Sequence, residues 1–204
     1  FSVEPFLHHS GKLWTWAEAG AVQSRVDGSL PIPRVTWKAG GLPLAVTAFP
    51  TGAPGASSIV ARYRVTNGSP GRVRGTLYLA LRPFQVNPPA QFLNIRGGTA
   101  PIADIAREGR LVRVNGTQRV LALQAPAAFG AVPFDGGDVV ADFLAAGRLP
   151  KQATVHDDFA AASGALGFSF DLAPGASHET DLLVPLYPEA QLLALPPSAG
   201  GVHT

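Results

Sequence analysis

The stretch Ser163-Gly-Ala-Leu-Gly-Phe-Ser-Phe-Asp-Leu-Ala-Pro-Gly-Ala-Ser-His-Glu-Thr-Asp-Leu-Leu-Val-Pro-Leu186 decides the fold class. Apolar side chains alternate with small or polar ones, the pattern breaks at Pro174-Gly175, and it then resumes. Alternation with a period of two puts one set of side chains on a buried face and the other outside, so each half reads as a β-strand. Two such runs around a Pro-Gly break read as an antiparallel hairpin, of the kind that closes a β-sandwich. Nothing in the stretch has the spacing of a nucleophile, a metal site or a phosphate loop.

The same punctuation extends outward in both directions. Residues 12–16, 21–26, 34–38 and 42–49 read as short strands joined at Gly-containing turns, and the chain begins at Phe1 inside strand-like sequence. Residues 58–66 and 74–82 are longer strands. Ile59, Ala61, Tyr63 and Val65 share one face of the first, and Val60, Arg62 and Arg64 share the other. The Asn67-Gly68-Ser69-Pro70-Gly71 turn between these two strands predicts a pair that lies centrally in one sheet. Residues 83–98 break the alternation, with Pro88-Pro89 and Gly97-Gly98 preventing regular pairing. Short strands return at 102–107, 111–114 and 119–124, where Asn115-Gly116 is a strong hairpin signal. Residues 138–147 form the one helical pattern: Asp138 can cap it, Val139, Val140, Phe143 and Leu144 make an apolar face, and Gly147 can end it.

Composition agrees with this reading. The chain has 204 residues, of which 46% are hydrophobic and 15% charged, enough for a substantial core and too apolar for disorder. The 23 Gly and 19 Pro interrupt helices and punctuate short strands. Thirteen arginines and three lysines face 14 acidic residues, for a net charge of +2. The arginines are scattered singly, not run together as along a phosphate backbone, which argues against nucleic acid as a partner. With no cysteine there is no disulfide or thiolate metal site, and nothing in the sequence asks for a cofactor. No apolar run reaches the roughly 18 residues of a membrane span. The chain has no methionine, which fits a processed product or an excised piece of a longer polypeptide. Its richness in Ala, Gly, Arg and Pro fits a GC-rich bacterial coding sequence; export to the periplasm or beyond is compatible with polysaccharide work, and the compartment stays open.

The segments Leu81-Arg-Pro-Phe-Gln-Val-Asn-Pro-Pro89 and Leu172-Ala-Pro-Gly175, with the many strands, the long excursion, the small helix and the closing strand ending Val-Pro-Leu, resemble the β-supersandwich domains of the galactose-mutarotase-like type. Such domains precede an (α/α)6 barrel in several bacterial glycoside hydrolases and phosphorylases. The resemblance implies an all-β antiparallel β-supersandwich with one short helix near 138–147, a single domain over 1–187, and a linker or flexible tail over 188–204. It further implies a non-catalytic accessory domain of a larger carbohydrate-active protein, because the catalytic carboxylates of those enzymes come mainly from the barrel. The partners expected are then carbohydrate or an adjoining catalytic domain of the same polypeptide.

Several residue sets compete for a site. Arg82, Gln85, Asn87, Gln91 and Asn94 are the densest set of side-chain donors and lie where the strand pattern fails, the usual place for ligand or domain contacts. Trp14 and Trp16, two apart on one strand, share a face that Trp37 could join; exposed, they would stack on sugar rings, and buried, they would fill the core. Glycoside hydrolysis needs two carboxyl groups roughly 5 to 9.5 Å apart. Asp157 or Asp158 could supply one, with Glu18, Glu108 or Asp104 as partner, yet adjacent residues of a strand point opposite ways, and His156-Asp-Asp-Phe159 also reads as a polar loop beginning a strand. A mutarotase reading needs a His and a Glu within reach of the sugar, and none of His8, His9, His156, His178 and His203 lies in a matching motif. His8-His9 lacks a third ligand and reads as exposed residues, not a metal site. No catalytic residue is assigned. The alternatives to an accessory domain are a stand-alone carbohydrate-binding module and a sugar enzyme acting alone.

Overall fold

The computed structural model describes residues 1–85, 99–126 and 128–187. Two antiparallel sheets face each other. The five-stranded sheet has the order β13 (Ala128–Val132), β15 (Ser163–Leu172), β7 (Val73–Arg82), β1 (Ser2–His9), β2 (Lys12–Trp14). The nine-stranded sheet runs β14 (Thr154–His156), β10 (Asp104–Glu108), β11 (Leu111–Val114), β12 (Gln118–Ala122), β16 (Ser177–Pro185), β6 (Ser58–Thr66), β5 (Leu42–Thr51), β4 (Pro33–Ala39), β3 (Gly20–Arg25). A two-residue pair, β8 (Phe84–Gln85) and β9 (Thr99–Ala100), stands apart. The all-β sandwich that the alternation predicts is the fold.

The strand pattern explains the layers. On β7, Leu77, Leu79 and Leu81 point toward the nine-stranded sheet and join Leu7, Leu166, Phe168, Leu44, Val65 and Leu182 in the main core. Burial of each such leucine is worth about 1.5–3 kcal/mol. Tyr78 and Ala80, one residue out of phase, point the other way and pack with Phe6, Val132, Ala165, Val139 and Leu144. The middle of the five-stranded sheet is therefore covered on both faces, which is why β7 reads Leu-Tyr-Leu-Ala-Leu with no polar phase.

Val139 and Leu144 belong to the helical segment that covers this outer face. The helix expected over 138–147 is present, with Asp138 capping it through bonds from the Val140 and Ala141 amides at 2.8 and 2.7 Å. Gly147 ends it in the left-handed conformation at φ 68°. Its winding is π over Val139–Phe143 and 3-10 over Leu144–Ala146. The two buried anchors are five residues apart, a spacing that an α-helix of about 3.6 residues per turn would rotate off one face. A bond from the Leu144 amide back to the Val139 carbonyl closes the wider turn and brings both onto the sheet.

Two connections correct the sequence reading. The closing segment is not a hairpin: β15 pairs with β7 and β13 in the five-stranded sheet, and β16 pairs with β6 and β12 in the other. Likewise 58–66 and 74–82 do not share a sheet, since β6 and β7 lie in opposite layers. Both connections are arches that cross the sandwich side by side. Asn67 locks them together. Its amide donates to the Ala176 carbonyl at 2.9 Å and its carbonyl accepts from Gly175 N at 2.8 Å. Its side-chain Nδ2 donates to the Gly71 and Leu172 carbonyls at 2.7 and 3.0 Å.

Candidate functional site

The outer face of the five-stranded sheet becomes polar where β7 ends. Arg82 is the last residue of that strand, and strand phase puts it on the same face as Tyr78 and Ala80. Glu4 of β1 lies on this face too. Arg82 Nη1 donates to Glu4 Oε2 at 3.0 Å, Arg82 Nη2 lies 3.8 Å from Asp138 Oδ2, and Ser2 Oγ donates to Glu4 Oε1 at 2.6 Å. Arg82 and Asp138 line a cleft of about 310 Å³ together with Pro83, Phe134, Gly137, Ala161 and Ser163. A broader depression of about 500 Å³ near the β3–β4 turn is lined by Gln23, Ser24, Arg25, Gly28, Pro31 and Pro33. It has no aromatic wall.

One buried carboxylate organises the rim of the cleft. Asp157 is 6% exposed; its Oδ1 accepts from the Phe134 amide at 3.3 Å and its Oδ2 from the Ala161 amide at 2.7 Å. It thereby ties the loop after β13 to the loop after β14. Each loop carries an exposed phenylalanine, Phe134 at 61% and Phe159 at 70%. Their ring centroids are 5.8 Å apart with planes tilted by 54°. Two large apolar rings that meet in water gain little for the core and form a small exposed apolar patch.

Of the donor set suggested by the sequence, Arg82 stands at this cleft. Gln85 ends β8, where its backbone pairs with Thr99, and Asn87, Gln91 and Asn94 lie outside the described residues. The tryptophans do not share a strand face. β2 ends at Trp14, and the chain turns at Thr15, whose carbonyl accepts from the Glu18 and Ala19 amides, so Trp16 falls in a turn. Trp37 lies in the core. Trp14 is half-buried, stacked on His9 at 5.9 Å and 10°, with Lys12 Nζ 4.2 Å over its ring. Trp16 alone of the three is open to solvent, at 68%.

The histidines are also relocated. His9 is buried, not exposed: it lies within β1, its Nε2 is 3.3 Å from the Ala39 carbonyl, and burial pulls its pKa down. His156 ends β14 instead of beginning a strand, and it sits between two carboxylates, with Nδ1 2.7 Å from Asp104 and Nε2 3.2 Å from Asp158. The hydrogen bond to Asp104 and that carboxylate's charge, with Asp158 adding to both, hold His156 protonated to higher pH than usual. Asp157 and Asp158 do point apart, one into the fold and one into water. Among the described residues no three His, Asp or Glu side chains gather to hold a metal ion, and no helix is long and apolar enough to cross a membrane.

Phe134 and Phe159 did not stand out in the sequence. The signal was there in weak form: each is an aromatic set among turn residues, Pro133-Phe-Asp-Gly-Gly137 and Asp157-Asp-Phe159, with no alternating neighbours to pack it into a sheet.

Comparison with solved structures finds a polysaccharide lyase, 16% identical to this chain with a TM-score of 0.44, in an alignment covering 90% of this chain. The chain spans 25% of that protein's length. No family model matches the sequence, and no curated protein sequence does.

Proposed function

We propose that this chain is a non-catalytic β-sandwich module of a larger carbohydrate-active protein, a single domain to residue 187 that packs on an adjoining catalytic domain. The observation that carries the reading is how the charged groups around the cleft are used. Both oxygens of Asp157 hold backbone amides, Asp138 Oδ1 caps the helical segment, and Glu4 holds Arg82 and Ser2. A proton shuttle at Asp157 or Glu4 would have to break bonds that hold the two loops and Arg82 in place, which favours recognition over acid–base chemistry at those two groups. The His156 group, which does combine an imidazole with two carboxylates, is exposed and lines neither the Arg82 cleft nor the depression by the β3–β4 turn. Arg82, with Gln85, Asn87, Gln91 and Asn94 beyond it, is our candidate contact with the adjoining domain or its substrate.

The deciding experiment is the intact mass of the polypeptide made from its native gene. A mass well above 21.2 kDa is the expected result, and a mass near 21.2 kDa overturns the accessory reading. The alternative is then a stand-alone carbohydrate-binding module. The exposure of Trp16 favours it, and Trp14 and Trp37 could join only by leaving their present packing.

A further inference from the structure

We infer that the cleft between Arg82 and Phe134 is a saccharide subsite on this chain itself, and that it takes a neutral pyranose in preference to a uronic or sulfated sugar. The inference rests on the proposed carbohydrate function and adds a place and a charge class to it. A pyranose presents a flat C–H face beside a ring of hydroxyls, so its complement is an aromatic wall next to groups that both donate and accept. Phe134 supplies the wall, and Arg82, Asp138 and Ser163 line the same cleft, whose volume of about 310 Å³ admits a sugar ring. The wall is positioned before any ligand arrives, because the Phe134 and Ala161 amides are both held by Asp157. Prior positioning of this kind lowers the ordering cost of binding.

The charge class follows from what surrounds Arg82. In an open site an arginine captures a carboxylate with two parallel bonds. At this cleft Glu4 already takes Nη1 at 3.0 Å and Asp138 lies 3.8 Å from Nη2, so two acidic groups face one guanidinium. Asp135, exposed and next in sequence to Phe134, adds a further negative charge beside the cleft. An anionic sugar would meet net repulsion, whereas hydroxyls can donate to Asp138 and accept from Arg82.

The test is an amide-resolved NMR titration of this chain with neutral tetrasaccharides of gluco, manno, xylo and galacto configuration, and separately with tetragalacturonate. A neutral probe should shift the amides of Phe134, Asp138, Phe159 and Ser163, and Phe134→Ala should weaken its binding roughly three- to tenfold, as expected for losing one aromatic stacking contact. Absence of shifts with every probe, shifts confined to Trp16 and its turn, or tighter binding of tetragalacturonate would each overturn the inference. The native mass separates this from the accessory reading. A large polypeptide whose cleft ignores neutral sugars keeps that reading and loses the subsite, whereas a 21.2 kDa protein that binds them there does the reverse.

Discussion

Asn67→Ala should cost this fold about 2–6 kcal/mol, an unusually large effect for a residue in a connection. Asn67 is fully buried. Its Nδ2 bridges the Gly71 and Leu172 carbonyls, and its Oδ1 accepts from Ser69 N at 2.9 Å and Ser69 Oγ at 2.7 Å. The Ser69 groups and the Gly71 carbonyl are near solvent, so water can replace part of what they lose, and Ser69 Oγ already donates to Gly71 O at 3.1 Å. The Leu172 carbonyl is not so placed. Losing two net hydrogen bonds at roughly 0.5–1.5 kcal/mol each and stranding one buried acceptor at roughly 1–3 kcal/mol gives that range. Urea denaturation at neutral pH measures it, and for a chain of this size the melting temperature should fall by roughly 2–4 °C per kcal/mol. Asn67→Asp sharpens the test. It keeps the acceptor for Ser69 but turns both donors into a carboxylate facing two carbonyls, so at neutral pH it should destabilise more than alanine. The folded state raises the pKa of that introduced group, so its stability is greatest below the unfolded pKa and is lost as pH rises through the folded one. A loss below about 1 kcal/mol for Asn67→Ala would refute the argument, and would mean that the main-chain bonds of the two arches hold the crossing without the side chain.

Other positions test other parts of the account. Gly130 on β13 lies against the Pro150 backbone, where an added Cβ would overlap the Pro150 carbonyl, so Gly130→Ala should destabilise by about 1–3 kcal/mol or more; wild-type stability in urea would show that the 150–152 segment yields freely. Asp157→Asn should loosen both loops, seen as faster amide exchange at Phe134 and Ala161, and unchanged protection there would remove Asp157 from its organising role. Phe134→Ala and Phe159→Ala should change stability by less than about 0.5 kcal/mol, since exposed rings add little to folding, and a larger loss would make the pair structural. His156 should titrate above its ordinary 6.5, so the stabilisation from its two carboxylates is complete below that pH and fades as pH rises through the folded value. Asp104→Asn should move its NMR titration back toward 6.5, and an unmoved midpoint would rule out Asp104 as the main cause of the shift.

Strand positions were legible in the sequence, whereas strand partners were not. Ser58–Thr66 and Leu111–Val114 fall where alternation puts them, because period two is a property of the strand itself. Pairing depends on the connection. Asn115-Gly116 joins β11 to β12 as a true hairpin, with both residues at positive φ, 49° and 72°, as a turn matched to strand twist requires. Pro174-Gly175 sits between equally good strands, but proline holds φ near about −65° and cannot enter that turn. The chain crosses to the other sheet instead. Pro70 stands in the other arch, and there the buried amide of Asn67 supplies the bonds that a hairpin ladder would have supplied. A Pro-Gly pair does not by itself decide the outcome, since Pro54-Gly55 lies in the loop that joins β5 and β6 as paired neighbours; alternation alone does not decide it either.

The site escaped the sequence for a related reason. A core aromatic declares itself by the phase of its strand, as Trp37 does between β3 and β5, whereas Phe134 and Phe159 have no phase because they sit in loops. What brings them together is the register of β10 with β14, which sets Asp104 opposite His156 and so delivers Asp157 into the fold one residue later. From there its two oxygens reach amides 23 residues back and four residues on in the chain. No local pattern encodes that distance. The acid run His156-Asp157-Asp158 looked like a place for chemistry because two carboxylates adjoin an imidazole. Burial divides their work: the outward Asp158 meets His156, while the inward Asp157 gives up both oxygens to hold a pair of rings at the mouth of a cleft. The two amide bonds offset the cost of burying Asp157, and they fix the two loops that carry the rings.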